Sequence, residues 1–323
     1  MKTDAKKYSN SITEFIKKYN TYIMLAVCLI ICMAISPDFL TLTNLFNISR
    51  QYAALTVVSM GMLLVIATGG IDLSVGSYLA CGSVLVAIFI NSGLGLIPAI
   101  LLDVALGLVC GTLSGVLVAK FKMPAFIVTM AMMTIIRGAA FILSNGSPIR
   151  TPSNTISQLG QNTIAHIIPL LLVLALVVVA IFAFVINRTS FGRIVLAIGS
   201  NENCVRLSGI RVNYYLIAVY AISGLCATLG GVMAASRTGI GTPLYGEGLE
   251  LDAIAACVIG GASLSGGTGS AVKTVVGVLV LALIGNIMNL LSVPSYPQDV
   301  IKGLIIIASV LLQIFTSSKK EAA

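Results

Sequence analysis

Residues 187–213 read NRTSFGRIVLAIGSNENCVRLSGIRVN and separate two long apolar runs. The stretch carries four arginines and one glutamate. Each charge would cost about 2.5–3.5 kcal/mol at the centre of a bilayer, so the stretch must lie in water. Ser200 can begin a short helix, Glu202 suits its positively polarised first turn, and Gly209 suits a left-handed stop. The stretch therefore predicts a short helix inside a solvated loop.

A pair of opposite charges supports this helix. Glu202 and Arg206 are four residues apart in the acid-first order, which stabilises a helix by about 0.2–0.5 kcal/mol. Two interpretations stay open on these residues alone. The helix is either a docking element for a separate motor protein or part of a plain connector between two spans.

The rest of the chain is strongly apolar. Of its 323 residues, 58% are hydrophobic and 9% are charged, and the mean hydropathy is +1.04. Soluble domains average about 25% charged residues, so the composition predicts a membrane protein. The apolar runs are continuous rather than alternating, which favours helices over a membrane barrel. At about 20 residues per span, we expect an all-α polytopic protein with about ten transmembrane helices.

Catalytic and metal sites are disfavoured by the motifs that the sequence lacks. It contains seven cysteines without a CxxC pair, one histidine, and no GxxxxGK[ST], HExxH or GxSxG motif. We therefore expect no enzyme activity, no metal and no cofactor in this chain. The net charge of +8 is interpreted as a topology signal rather than as a nucleic-acid surface.

The basic residues predict the orientation. Most of the 19 lysines and arginines lie in segment 1–20, in 187–213 and at turns on the same side of the predicted spans. The positive-inside rule then places both termini in the cytoplasm. The predicted organisation is a cytoplasmic segment 1–20, one transmembrane domain over 21–316 with a cytoplasmic loop at 187–213, and a cytoplasmic tail over 317–323.

Two glycine-rich breaks, at 69–76 and 260–267, share a GGxxLSxG pattern. Corresponding breaks in two halves of a membrane chain indicate an internal repeat with irregular backbone that protein or water must cover. The second break ends an apolar run, 252–261, that is too short to span, so we expect that element to be broken or re-entrant. The breaks face a translocation path or a partner, or recur by chance among 31 glycines. The candidate positions are Gly69, Gly70, Asp72, Ser74, Gly260, Gly261 and Ser265.

Two charged residues, Asp103 and Arg137, fall inside the predicted fourth and fifth spans. Charges within a membrane usually face the protein interior and are paired. We therefore expect an Asp103–Arg137 pair with a structural role, and a substrate contact is the alternative. Asp103 is also the acid that an ion-coupled transporter would need.

Five segments resemble the ribose-type permeases of bacterial ATP-binding cassette (ABC) sugar importers, in the order found in that family. They are FLTLTNLFNI (39–48), GGIDLSVGS (69–77), RGAAFILSNGSPI (137–149), FGRIVLAIGSNENCVRLSGI (191–210) and LDAIAACVIGGASLSGGTGS (251–270). The segments extend over nearly the whole chain. The resemblance is specific for the family and much less so for the sugar.

The resemblance implies a homodimeric permease in the bacterial cytoplasmic (inner) membrane, importing a ribose-like monosaccharide by alternating access. Its partners would be a separate ABC ATPase carrying ATP and Mg, an extracytoplasmic sugar-binding protein, a second copy of the permease and the surrounding lipid, and no nucleic acid. In the family, the loop after FGR contacts the ATPase. The positions that match this loop and its flanks are Phe191, Gly192, Arg193, Gly199, Ser200, Asn201, Glu202, Arg206 and Gly209.

Two alternatives remain for the function. A related ABC permease for branched-chain amino acids has the same architecture, and a stand-alone secondary transporter is a more distant possibility. The polar segments 144–163 and 236–249 are candidates for contacting the binding protein, or are plain surface loops.

Overall fold

The computed structural model describes residues 2–151, 156–164 and 168–321. Part of the predicted outer segment 144–163 therefore lies outside the described residues. The described chain is almost entirely helical. Its helices are α1 (Lys2–Ile35), α2 (Leu42–Ala67), α3 (Val75–Asn91), α4 (Leu96–Ala119), α5 (Ala125–Leu143), α6 (Ser157–Gln161), α7 (Leu170–Arg188), α8 (Ser190–Ser200), α9 (Glu202–Leu207), α10 (Val212–Thr238), α11 (Leu249–Ile259), α12 (Ala271–Leu290) and α13 (Ser295–Glu321).

Short elements complete the fold. A 3-10 turn at Pro37–Leu40 links α1 to α2. Strand β1 (Ile149–Arg150) pairs antiparallel with β4 (Ile240–Gly241), and β2 (Thr163–Ile164) pairs antiparallel with β3 (Ile168–Pro169).

Six of the described helices are long and apolar enough to cross a membrane: α2, α4, α5, α7, α10 and α12. Shorter apolar helices are Tyr19–Ile35 within α1, α3 and α8. The predicted helical, multi-pass class is confirmed, and the count of ten spans stays a prediction. The predicted boundary at residue 20 falls inside α1, which is one helix from Lys2.

The core lies around α2, α10 and α12, whose apolar stretches are mostly buried, whereas those of α4, α5 and α7 are mostly exposed. Glycines on α4 permit its close contact with α10. A Cβ at Gly111 would collide with the carbonyl oxygen of Tyr220, and one at Gly115 would lie 2.7 Å from the Cα of Ile217. Helices in lipid have no hydrophobic driving force for association, so close backbone packing of this kind stabilises the pair instead.

The element that contains the apolar run 252–261 is broken, as its shortness predicts. Helix α11 has 11 residues, and the non-helical segment 242–248 that precedes it lies along α3. Thr242 and Ser83 exchange two hydrogen bonds of 3.1 Å, and Gly246 lies against Gly76 with backbone touching backbone. Ser83 and Gly76 are seven residues apart on α3, so the segment follows that helix for about 10 Å. We name residues 242–248 the re-entrant segment.

Both glycine-rich motifs end a helix in the same way. Gly69 (φ 81°) and Gly261 (φ 84°) are left-handed, and the next amides, of Gly70 and Ala262, donate to carbonyls five residues back. This is the Schellman stop, which needs a residue without a Cβ penalty. The structure pairs Gly69 with Gly261, one position away from the sequence match with Gly260. The shared geometry is therefore the helix stop and not the whole GGxxLSxG pattern.

Candidate functional site: a glycine junction beneath α8 and α9

The loop at 187–213 forms two helices instead of the one that was predicted. The side chain of Thr189 caps α8 by accepting from the amide of Gly192 (3.2 Å), and Asn201 caps α9 by accepting from the amide of Cys204 (3.0 Å). Ser200 ends α8 rather than starting a helix. Asn201 is extended (φ −162°, ψ 95°), which breaks the helix and frees its side chain to cap the next one.

Helix α9 keeps the ion pair and the stop that the sequence predicts. Arg206 donates from Nε (2.8 Å) and Nη2 (2.6 Å) to Oε1 of Glu202, and Nη2 also donates to Oδ1 of Asn213 at 3.0 Å. Gly209 is left-handed (φ 80°), and its amide donates to the carbonyl of Arg206. The bond from Arg206 to Asn213 joins α9 to the first turn of α10.

The two faces of α9 differ. Val205 is buried in a small cluster with Ile198 of α8 and Val212 of α10. Leu207 is 88% exposed. Leu207 was not among the residues predicted from the sequence, although a residue two positions after a core-facing valine must lie on the opposite side of a helix. A large apolar side chain is therefore presented to solvent at the tip of a solvated helix.

The end of α8 contacts both glycine-rich breaks, and we name this contact the glycine junction: Ala67, Gly69, Gly199, Ser200, Gly266 and Gly267. A Cβ at Gly199 would collide with the carbonyl oxygen of Ala67 and the amide nitrogen of Gly267. A Cβ at Gly266 would lie 2.8 Å from both the Cα of Gly199 and the amide nitrogen of Gly69. Three segments far apart in sequence therefore meet through their backbones.

The remaining predicted positions on α8 contact the bundle or solvent. A Cβ at Gly192 would collide with the carbonyl oxygen of Val185, so α8 lies directly on α7. The ring of Phe191 packs 5.7 Å from that of Tyr215 on α10. Arg193 is exposed. Helix α8 is thus held between α7 and α10, with its last turn on the glycine junction.

Asp72 anchors the first break to α10. It is buried, and its carboxylate accepts from the hydroxyl of Ser223 (2.7 Å), the amide of Ser74 (3.0 Å) and the hydroxyl of Ser74. Three donors satisfy a charge that would otherwise be costly to bury. The loop between α2 and α3 is therefore fixed to the centre of the bundle.

The other break positions make contacts of their own. A Cβ at Gly70 would lie 2.5 Å from the hydroxyl of Tyr220, and one at Gly260 would lie 2.7 Å from the backbone of Lys273. Ser265 is exposed, and its carbonyl oxygen would lie 3.4 Å from a Cβ at Gly69. Gly70 therefore contacts α10, Gly260 contacts α12, and Ser265 lies beside Gly69 of the junction.

The expected Asp103–Arg137 pair is not present. Arg137 donates from Nη1 to the carbonyl oxygens of Pro243 and Tyr245, both at 2.6 Å, and from Nη2 to that of Gly246 at 3.4 Å. These carbonyls belong to the re-entrant segment, whose irregular backbone lacks helical partners. Arg137 supplies the donors that this backbone needs at membrane depth.

Asp103 has a different environment. It is fully buried, and a Cβ at Gly82 of α3 would lie 3.1 Å from its Oδ2. Neither of its carboxyl oxygens has a hydrogen-bond partner among the described residues. The predicted ion pair is therefore wrong. The guanidinium of Arg137 donates to backbone carbonyls instead, and no residue type in the sequence marks those carbonyls.

Comparisons with known proteins agree with this architecture. A family model described as "Branched-chain amino acid transport system / permease component" matches residues 44–310. The chain belongs to this permease family. The permease is 38% identical over 302 residues to the ribose import permease protein RbsC of Escherichia coli K12, covering 92% of this chain and 94% of the relative.

Two further relatives extend the comparison. RbsC of Bacillus subtilis 168 is 39% identical over 297 residues, 92% of each chain. The L-arabinose transport system permease protein AraH of E. coli K12 is 36% identical over 322 residues, 98% of this permease and 96% of AraH. The resemblance to ribose-type permeases is confirmed. No solved structure matches the chain.

Proposed function

We propose that the chain is the membrane-spanning subunit of an ATP-driven importer for a monosaccharide of the ribose or arabinose type. The observation that supports this most directly is the glycine junction, which joins an exposed helix pair to the end of α2 and to the loop between α11 and α12 by backbone contact. Such a joint suits a subunit that receives motion from elsewhere. Relatives with sugar-permease names match over nearly their whole length, which favours a sugar as cargo.

The proposed orientation has α8, α9 and both termini in the cytoplasm of a bacterial inner membrane. Helix α9 then lies on the ATP side, where a separate ABC ATPase with its ATP and Mg docks on Leu207 and the Glu202–Arg206 pair. A second copy of the permease completes the translocation path. An extracytoplasmic sugar-binding protein delivers the sugar to segments 144–163 and 236–249 at the opposite end.

The proposed mechanism is a rigid transmission. Closure of the ATPase moves α9, and α8 moves with it because both are packed on the start of α10. At the glycine junction no side chain stands between the backbones to absorb the displacement, so the end of α2 and the loop between α11 and α12 move too. Helix α11 connects this loop to the re-entrant segment. Displacement of the loop therefore moves the re-entrant segment, which switches the translocation path between its outward-open and inward-open states.

The test is uptake into proteoliposomes that contain the permease and its ABC ATPase, with ATP inside and the sugar-binding protein outside. We expect labelled ribose or L-arabinose to accumulate only with ATP and the binding protein. Equal uptake without ATP would contradict the proposal and indicate a stand-alone transporter.

A branched-chain amino acid is the second candidate cargo, because the matching family model carries that description. The same vesicles decide between the two when labelled leucine replaces the sugar. Accumulation of leucine, and not of ribose or L-arabinose, would reject the sugar assignment and keep the ABC mechanism.

A further inference from the structure

An open groove of about 530 Å³ lies beside the start of α10, at the end of the bundle that carries α8 and α9. We name it the tyrosine groove; its lining residues are Phe191, Ile210, Arg211, Tyr214, Tyr215 and Ala218. Phe191 belongs to α8, Ile210 and Arg211 to the loop before α10, and the other three to the first two turns of α10. Three aromatic rings and one guanidinium therefore surround one space.

The tyrosine groove carries one unbalanced positive charge. No aspartate or glutamate lines it. Among the described residues, the guanidinium of Arg211 takes part in no ion pair. It lies 6.0 Å from the centre of the Tyr214 ring, a distance at which the face of the ring attracts a cation. The ring therefore holds the charge beside the groove, where the exposed N–H donors of Arg211 can bind an anion.

The groove crosses the boundary between water and lipid. Arg211 directly precedes α10, whose membrane-spanning sequence begins at Val212. Ala218 lies seven residues beyond Arg211, about 10 Å further along the helix. Tyr214 and Tyr215 lie between the two, at the level where tyrosine is enriched in membrane proteins. One end of the groove is therefore at headgroup depth and the other lies within the hydrocarbon.

The groove lies on a side of α10 that faces neither of two neighbouring helices. Ile217 faces α4, because its Cα would lie 2.7 Å from a Cβ at Gly115. Ser223 faces α2, because its Cα would lie 2.9 Å from a Cβ at Gly61. At 3.6 residues per turn, Ala218 points about 100° away from the first of these directions and about 140° away from the second.

The depth of this side of α10 restricts the occupant. The side continues through Ile222, which is partly exposed, so an apolar track extends about 16 Å along the helix from Arg211. Half of a bilayer's hydrocarbon core is about 15 Å thick, which an acyl chain crosses. A water-soluble protein can reach Arg211 but not Ala218 or Ile222. A neutral sugar would leave both the charge and the apolar track without a partner.

We infer that the tyrosine groove binds an anionic phospholipid from the leaflet on the α9 side of the membrane. The phosphate accepts hydrogen bonds from Arg211, whose planar fork suits phosphate oxygens, and one acyl chain lies along Ala218 and Ile222. Basic pockets between membrane helices recognise anionic headgroups by this chemistry. The site goes beyond the proposed function, and its occupant does not depend on the cargo.

The experiment titrates the full-length permease in detergent with phosphatidylglycerol or phosphatidylcholine of the same acyl chains, and native mass spectrometry counts the bound lipids. Arg211→Gln removes the charge, Arg211→Lys keeps it without the fork, and Ala218→Phe fills the apolar track. Arg188→Gln is the matched control, because Arg188 is exposed at the same end of the bundle, on α7, and does not line the groove. Thermal melting of each variant verifies folding.

We expect the wild type to bind phosphatidylglycerol about tenfold more tightly than phosphatidylcholine, and Arg211→Gln to remove this preference, since it deletes a charge-assisted contact. Arg211→Lys should lose less. Ala218→Phe should weaken the binding of both lipids by a similar factor, because it blocks the chain and leaves the charge. Arg188→Gln should keep the wild-type preference.

Three results would overturn the inference. They are equal affinity of the wild type for the two lipids, unchanged phosphatidylglycerol binding in both Arg211→Gln and Ala218→Phe, and an equal loss of preference in Arg188→Gln. The last of these would show that the general charge of the surface attracts the lipid.

Two other occupants have distinct outcomes. Glycerol 3-phosphate carries the same anionic phosphate without acyl chains; displacement of phosphatidylglycerol by an equal concentration of it would assign the groove to a free phosphate. Displacement of the lipid by the ABC ATPase would assign the groove to that protein. Either result would overturn the inference, whereas retention of the lipid in both competitions is the result that we expect.

Discussion

The amide of Gly267 donates a 3.0 Å hydrogen bond to the carbonyl oxygen of Ala67. This bond connects the loop after α11 to the last residue of α2, and Gly199 of α8 lies against both atoms that form it. The end of α2, the loop after α11 and the helix pair that carries the proposed docking surface therefore share one contact. Movement of α8 without movement of α2 and of this loop would have to break the contact.

Replacing Leu207 with aspartate should weaken association with the ATPase at least tenfold and leave the permease folded. The side chain is 88% exposed, so the isolated chain loses no packing, whereas a docked leucine would lose a desolvated contact. Co-purification of the ATPase and thermal melting measure the two effects. Leu207→Met should behave like the wild type. Tight ATPase binding by Leu207→Asp would show that α9 docks through other residues.

Replacing Gly209 with valine should uncouple ATP hydrolysis from uptake. A residue with a Cβ pays about 1–2 kcal/mol in the left-handed conformation, and a β-branched one pays more. The strain shifts α9 relative to α10. The added Cβ itself meets no atom within 4 Å, so the substitution causes no collision with another element. Gly209→Asn is the control, since asparagine tolerates this conformation. Coupled uptake at the wild-type ratio of sugar to ATP in Gly209→Val would refute the role of the stop.

Arg137 and Asp103 should act independently. Arg137→Ala removes the donors of three backbone carbonyls and should destabilise the permease by about 2–3 kcal/mol. Asp103→Asn keeps the shape of an already unpartnered group and should change stability by less than about 1 kcal/mol. The double variant should equal the sum within about 0.5 kcal/mol in denaturant unfolding. A double variant no worse than Arg137→Ala would restore the ion pair that the sequence suggested.

The positions of the apolar helices could be predicted from the sequence, because continuous apolar runs and glycine or proline stops are local signals. Contacts that depend on backbone geometry could not. The partner of Arg137 is a set of carbonyls in the re-entrant segment, and no residue type marks them. The division of 190–207 into two helices depends on Asn201, a residue that caps a helix as readily as it lies in a loop.

The convergence at the glycine junction was equally hidden from the sequence. Gly199 and Gly69 were selected from separate motifs, Gly266 lies in the second break without having been selected, and nothing in those motifs states that the three touch. The only sign of a close backbone contact in a sequence is a glycine. Glycine is common in this chain for other reasons, so it does not identify such contacts. The match between 69–76 and 260–267 located the two helix stops and misplaced their alignment by one residue.

The most direct test of the transmission through the glycine junction is the ratio of sugar uptake to ATP hydrolysis in Gly199→Ala. The added Cβ would collide with Ala67 and Gly267, while α9 and its exposed face stay unchanged. Gly303→Ala, where a Cβ meets no atom within 4 Å, is the matched control. For Gly199→Ala we predict ATP hydrolysis within about twofold of the wild type and sugar uptake at least tenfold lower. Thermal melting verifies that the variant is folded. Uptake that keeps its wild-type ratio to hydrolysis, as expected of Gly303→Ala, would contradict transmission through this contact.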